Sequence, residues 1–140
     1  MDFGLSEEQR MIVDTTRAFV EAELYPHEQM VERTGVLPVE LIREIQAKAM
    51  AAGLYAANMP EEVGGAGLDT LTWLLYEKEL GRANYALHWN CVSRPSNILL
   101  ACTPEQREQY LFPCIRAEKH DCQAMTEPGS GSDLRSMKAF

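Results

Sequence analysis

Basic charge is scarce in this chain of 140 residues, where 13 lysines and arginines stand against 21 aspartates and glutamates for a net charge of −8. Affinity for a nucleic-acid backbone comes mostly from Lys and Arg that displace counterions. Here they are scattered and form no stripe, which argues against such a partner. Long apolar runs are missing too. Nothing approaches the roughly 20 apolar residues needed to span a bilayer. The opening Met1-Asp2-Phe3-Gly4 lacks the basic-then-apolar pattern of a signal peptide, so a soluble protein of the cytoplasm or another intracellular compartment is expected. Close metal-ligand pairs are also absent. Cys91, Cys102, Cys114 and Cys122 sit 11, 12 and 8 residues apart without a Cys-x-x-Cys step, and His27, His88 and His120 are dispersed. Zinc and dithiol chemistry need closer spacing, so no metal is assigned and free, buried thiols are expected. Internal repeats and low-complexity tracts are lacking as well.

What is present suffices for one core, because 46% of the residues are hydrophobic at a length typical of a single domain. Ser6 with Gln9 forms a capping box, after which Met11, Ile12, Thr15, Phe19 and Val20 recur at helical spacing until Pro26. A second helix is predicted from Pro38, with Leu41, Ile42, Ile45 and Ala49 on one side, ending at Gly53. Asn58 to Leu68 holds three glycines and a proline and reads as a long loop, in which Glu61 and Glu62 suggest no catalysis. Asp69 then caps a helix with Leu71, Leu74, Leu75 and Leu80 facing inward and Gly81 as a left-handed exit.

A fourth helical segment, Tyr85 to Ala101, should kink or break at Pro95. Thr103-Pro104-Glu105-Gln106 restarts a helix with a second capping box, and Pro113 ends or bends it. Beyond His120, Cys122, Ala124 and Thr126 alternate like the start of a strand. The plan is five or six helices followed by one lone strand. An unpaired strand leaves a row of open backbone groups, so its sheet is expected outside these residues.

The segment Ala124-Met125-Thr126-Glu127-Pro128-Gly129-Ser130-Gly131-Ser132-Asp133 carries the clearest ligand-binding character. Thr126 and Ser132 supply hydroxyls, while Gly129 and Gly131 let main-chain N–H groups approach an anionic or planar ligand closely. The same composition also makes an ordinary surface turn, and a strand-end threonine can bond nearby backbone.

Met125 to Asp133 match, without a gap, the motif of a hydrophobic residue, Thr-Glu-Pro, a small residue, any residue and Gly-Ser-Asp. Together with Leu5-Ser6-Glu7-Glu8-Gln9-Arg10, the loop from Met59 to Leu68 and the helix end from Tyr76 to Arg82, the chain resembles the flavin-dependent acyl-CoA dehydrogenases along essentially its whole length. The resemblance implies a mostly α fold. Residues 1–119 would form the family's N-terminal up-and-down helical domain, and 120–140 the first strand and flavin loop of a middle β domain cut short at Phe140. The rest of that domain, and a C-terminal four-helix domain holding the catalytic base, would be absent. No catalytic residue is therefore assigned in this chain, and the 140 residues alone are expected to bind FAD poorly and to leave acyl-CoA unoxidised.

For a complete member the resemblance implies α,β-dehydrogenation of an acyl-CoA thioester to a 2-enoyl-CoA, with FAD as cofactor. Backbone groups at Gln123 and Met125 and the hydroxyl of Thr126 would meet the isoalloxazine, and Gly131 and Ser132 the pyrophosphate and the neighbouring CoA chain. Gln123 replaces an aromatic residue that many relatives carry. Glu127 would be structural, and Asp133 a cap. Tyr85, Ala86, Trp89 and Ser93 would line the acyl cavity, although an aromatic stripe at helical spacing is as readily plain core. Trp89 near Pro95 suggests a short, branched or polar acyl group. The implied partners are acyl-CoA, an electron-transfer flavoprotein as acceptor and further copies of the chain in a dimer or tetramer. Two alternatives stay open: a flavin oxidase or monooxygenase of the same superfamily, and a non-catalytic helical interaction module.

Overall fold

The capping box at Ser6 closes as its sequence predicts: Gln9 N donates to Ser6 Oγ at 3.1 Å, and Ser6 N donates to Gln9 Oε1 at 3.0 Å. In the computed structural model, which describes residues 4–92 and 94–138, this cap opens helix α1, Glu7–Phe19. The helix does not stop at Pro26. It passes through a wide π-helical turn, Val20–Leu24, into α2, Tyr25–Thr34. Proline is costly inside a helix because it lacks an N–H and its ring crowds the preceding turn. In the wide turn Tyr25 N reaches back five residues to the Val20 carbonyl, and Pro26 then takes a first-turn position of α2, where no donor is required. The same device recurs before Pro113, where Phe112 N donates to the Arg107 carbonyl.

Helix α3 spans Val39–Ala51 after Pro38, and Gly53 turns the chain away at φ +70°. Asp69 caps α4, Thr70–Leu80, through Leu71 N at 2.8 Å and Thr72 N at 3.2 Å, and the Thr72 hydroxyl foremost holds its carboxyl below the ordinary range. Two expectations for α4 are corrected. Leu71 and Leu74 are exposed, and the helix buries Thr72, Tyr76, Glu79 and Leu80 instead. Gly81 leaves in a right-handed conformation, at φ −65°. Helix α5 is shorter than predicted, Tyr85–Cys91, and a 3₁₀ turn, Asn97–Ala101, follows Pro95. The second capping box opens α6, Pro104–Gln106, which runs through the π turn Arg107–Leu111 into α7, Phe112–Ile115.

The helices enclose one core around Leu24, Ile45, Leu54, Tyr76, Leu80, Leu87 and Leu111. Helix α1 lies along α4, and α5 packs on α2 and α3. Tyr76 donates its buried hydroxyl to the Leu54 carbonyl at 2.6 Å, joining α4 to the chain beyond α3, and burial raises its pKa. Tyr76→Phe removes the donor and leaves that carbonyl unpaired, so urea unfolding should show a loss of about 1 kcal/mol.

No ladder forms where the strand was expected. Residues 119–126 carry no regular structure, and the described residues hold only an isolated antiparallel bridge, Glu127 with Ser130. A strand needs a partner to satisfy its backbone, and among the described residues none pairs with this segment. No helix among the described residues is long and apolar enough to cross a membrane.

Candidate functional site

Helix α5 is placed by its first turn. Asn84 caps it by accepting from Ala86 N at 2.9 Å, while Asn84 N donates to Glu28 of α2 at 2.7 Å. Leu87, His88 and Cys91 thereby face the core. Tyr85 and Trp89 project on the other side, 64% and 49% exposed, with their rings stacked at 5.4 Å. The aromatic stripe is therefore not core. Ala86 is half-buried and packs against the core, and Ser93 lies outside the described residues.

The segment after α7 is drawn across this helix by polar contacts. Ser96 N donates to Asp121 Oδ2 at 3.2 Å, and Gln46 Nε2 of α3, which also donates to the Asn90 carbonyl at 3.0 Å, lies 3.2 Å from His120 Nε2. Gln123 thus reaches the same cavity as Tyr85 and Trp89, a space of about 400 Å³. Asn90, Arg94 and Cys122 also line it. Cys122 is exposed and Cys102 half-buried, which corrects the expectation of four buried thiols; only Cys91 and Cys114 are buried. Burial pushes the Cys91 thiol up to about 12, leaving it unreactive.

Beneath the aromatic pair lies a charged group that sequence reasoning did not single out. The Arg94 guanidinium pairs with Glu77 through Nε at 2.8 Å, donates to the Val92 carbonyl at 3.1 Å and sits 5.1 Å from the Trp89 ring centre. Its Nη2 is 3.4 Å from His88 Nδ1. Burial, helped by that charge, lowers the His88 pKa to about 4, so the imidazole is neutral at pH 7. Burial raises the Glu77 carboxyl against the pull of Arg94. The only local signal was an arginine directly before Pro95.

Met125, Thr126, Gly131 and Ser132 lie further along, in a turn that organises itself. Glu127 and Ser130 exchange backbone hydrogen bonds at 2.9 and 3.1 Å. The buried Ser130 hydroxyl donates to the Asp133 carbonyl at 2.9 Å and accepts from Ser136 Oγ at 2.9 Å. The Glu127 carboxylate accepts from Lys138 N at 2.9 Å, and Asp133 accepts from Arg135 N at 3.2 Å as a cap. Glu127 and Asp133 thus shape the turn. Thr126 and Ser132 are exposed, and among the described residues their hydroxyls take no partner.

A β-carbon added at Gly129 or Gly131 would meet nothing within 4 Å, and neither glycine is in the left-handed region. Neither packing nor backbone conformation within the chain demands glycine there. The bare backbone leaves room for close approach by another molecule. Bare backbone flanked by outward hydroxyls suits one edge of a planar, hydrogen-bonding cofactor such as a flavin.

A helical domain running into such a loop defines a class that comparison with known proteins makes specific. The family model described as acyl-CoA dehydrogenase, N-terminal domain, matches residues 6–118, and the chain belongs to this family of flavoprotein oxidoreductases. It is 35% identical over 133 residues to the 3-(aryl)acrylate reductase of Clostridium sporogenes, covering 91% of this chain and 34% of the relative. It is 32% identical to the human mitochondrial short-chain specific acyl-CoA dehydrogenase, covering 92% and 31%. The solved acyl-CoA dehydrogenase of Geobacillus kaustophilus superposes with a TM-score of 0.75 at 30% identity, covering 98% and 36%. The chain therefore spans about a third of the length of the relatives it matches.

Proposed function

We propose that these residues serve as the N-terminal domain of an FAD-dependent acyl-CoA dehydrogenase, with the remaining flavin contacts and the base contributed by further domains. The observation that carries the reading is the match of residues 6–118 to the acyl-CoA dehydrogenase N-terminal family model, and beside it the loop Met125–Asp133 offers bare backbone at Gly129 and Gly131 and exposed hydroxyls at Thr126 and Ser132. In this reading backbone groups of Gln123 and Met125 and the Thr126 hydroxyl hold the isoalloxazine edge, and Gly131 and Ser132 meet the pyrophosphate and the CoA chain. Bound FAD would accept the hydride leaving C3 of the acyl group while a carboxylate takes the C2 proton, giving the 2-enoyl-CoA. The acids near the loop are committed to structure: Glu127 to Lys138 N, Asp133 to its cap and Asp121 to Ser96 N. The base, as the family resemblance implies, comes from outside this chain. Electrons pass on to an electron-transfer flavoprotein, and the assembled enzyme is a dimer or tetramer.

The test compares the 140-residue chain with the product of its reading frame followed past Phe140. The short chain is expected to be colourless and inactive. The longer product should carry one FAD per subunit and reduce a dye with butyryl-CoA. A yellow, active 140-residue protein would overturn the division of labour, and a frame without further domains would favour a helical interaction module.

A further inference from the structure

Ser130 differs from the other hydroxyl residues of the loop Met125–Asp133 in facing inward. It is buried where Thr126 and Ser132 are exposed, and further domains can only add to its cover. Two backbone hydrogen bonds with Glu127 fix it on one side. On the other, its hydroxyl donates to the Asp133 carbonyl at 2.9 Å, and Ser136 Oγ lies 2.9 Å from Ser130 Oγ and 2.8 Å from the same carbonyl. Ser136 N donates to that carbonyl at 3.1 Å, closing the 3₁₀ turn Leu134–Ser136. All these partners lie between Glu127 and Ser136, so the cluster is complete within the loop.

What the cluster encloses is the pair Gly131-Ser132. Neither belongs to a helix or a bridge, and among the described residues neither takes part in a backbone hydrogen bond. Their conformation is set from the two ends instead, by Ser130 before them and Asp133 after them. Successive main-chain N–H groups in a turn favour phosphates. Two of them in a bend already fixed at both ends bind without the entropy cost of ordering that bend on contact.

We propose that Ser130 is a positioning residue for the cofactor: its buried hydroxyl, tied to Asp133 and supported by Ser136, presets Gly131 and Ser132 for the FAD pyrophosphate. Ser130 itself touches no ligand. The proposal rests on the FAD-dependent reading above, which gives the pyrophosphate to Gly131 and Ser132.

The product of the reading frame followed past Phe140 is diluted as holoenzyme, and its FAD dissociation constant is read from flavin fluorescence at equilibrium. Wild type, Ser130→Ala, Ser136→Ala and the double variant are compared, with the absorption spectrum of the bound flavin recorded for each. Ser130→Ala keeps the backbone bridge to Glu127 and loses the tie to Asp133. It should weaken FAD about tenfold, corresponding to about 1.4 kcal/mol. The bound-flavin spectrum should not move, because the isoalloxazine contacts belong to Gln123, Met125 and Thr126. Ser136→Ala should weaken FAD less, and the double variant should be worse than Ser130→Ala by no more than about twofold, since both hydroxyls act on one carbonyl. An FAD affinity unchanged in Ser130→Ala overturns the proposal. So does a shifted spectrum, which would put the effect at the flavin ring or on the loop as a whole, and so do losses that add in the double variant. If Ser130→Ala does not fold or purifies without FAD, Ser136→Ala decides by the same readings of affinity and spectrum. A wild-type product that binds no FAD sinks the FAD-dependent reading itself, and this proposal with it.

Discussion

Gly65→Ala is expected to cost about 4 kcal/mol or more, a large part of the ~5–15 kcal/mol that holds a domain folded. A β-carbon at Gly65 would sit 2.0 Å from the Met59 carbonyl oxygen and 2.3 Å from its carbon, so the obstacle is backbone and cannot rotate away. Nor can the loop easily part. Gly65 N donates to the Pro60 carbonyl at 3.0 Å and Gly67 N to the Met59 carbonyl at 2.9 Å, while Met59 is fully buried in the core. Gly53→Ala provides the control, because Gly53 has open space around it but sits at φ +70°. Its cost should stay near the ~1–2 kcal/mol of a left-handed alanine. Urea unfolding of the two variants separates steric exclusion from backbone handedness. A Gly65→Ala protein no less stable than Gly53→Ala would show that the loop does not close so tightly.

That loop illustrates which parts of the fold were legible. Three glycines and a proline announce an irregular segment, and nothing in their spacing says that Gly65 is pressed on Met59. Local signals translated directly: the boxes at Ser6 and Thr103 and the cap at Asp69 each depend on residues within one turn. Signals that require a partner did not. Leu71 and Leu74 looked like core because α4 is apolar on several sides, and the buried face was decided by what Arg17 and Leu54 offer to Glu79 and Tyr76. Pro26 looked like a stop because a π turn leaves no mark in composition. At the candidate site the motif from Met125 to Asp133 was visible residue by residue. Arg94, His88 and Asp121 were not, because their roles arise only when α4, α5 and the segments after α5 and α7 meet.

Arg17→Met is expected to destabilise the protein by about 2 kcal/mol at pH 7, and the deficit should shrink on acidification. Arg17 of α1 grips Glu79 of α4 with two hydrogen bonds, Nε at 3.1 Å and Nη2 at 3.0 Å, and Arg82 adds a third at 3.1 Å. The Glu79 side chain is only 4% exposed. Breaking a buried pair by removing one partner costs ~3–5 kcal/mol, because the other charge stays buried. Arg82 still covers part of Glu79 and Arg17 is itself 45% exposed, which brings the expectation down. The hydrogen bond from Arg17 foremost, with Arg82 behind it, holds the Glu79 carboxyl below its ordinary range despite burial. The folded form therefore releases this proton more readily than the unfolded chain. The stabilisation is complete above the unfolded carboxylate value, about 4.3, and is lost as pH falls through the lower folded value. Without Arg17 the folded value rises, so the variant has less to lose in acid and the two stability curves converge there. His88, driven to about 4, and Glu77, raised by burial, also make both proteins pH-dependent. Neither touches Arg17, so their effects cancel in the difference. Urea denaturation of both proteins from pH 7 down to about pH 3 measures it. A gap that stays constant or widens in acid would mean that Arg17 acts through packing of its aliphatic stem and not through the Glu79 charge.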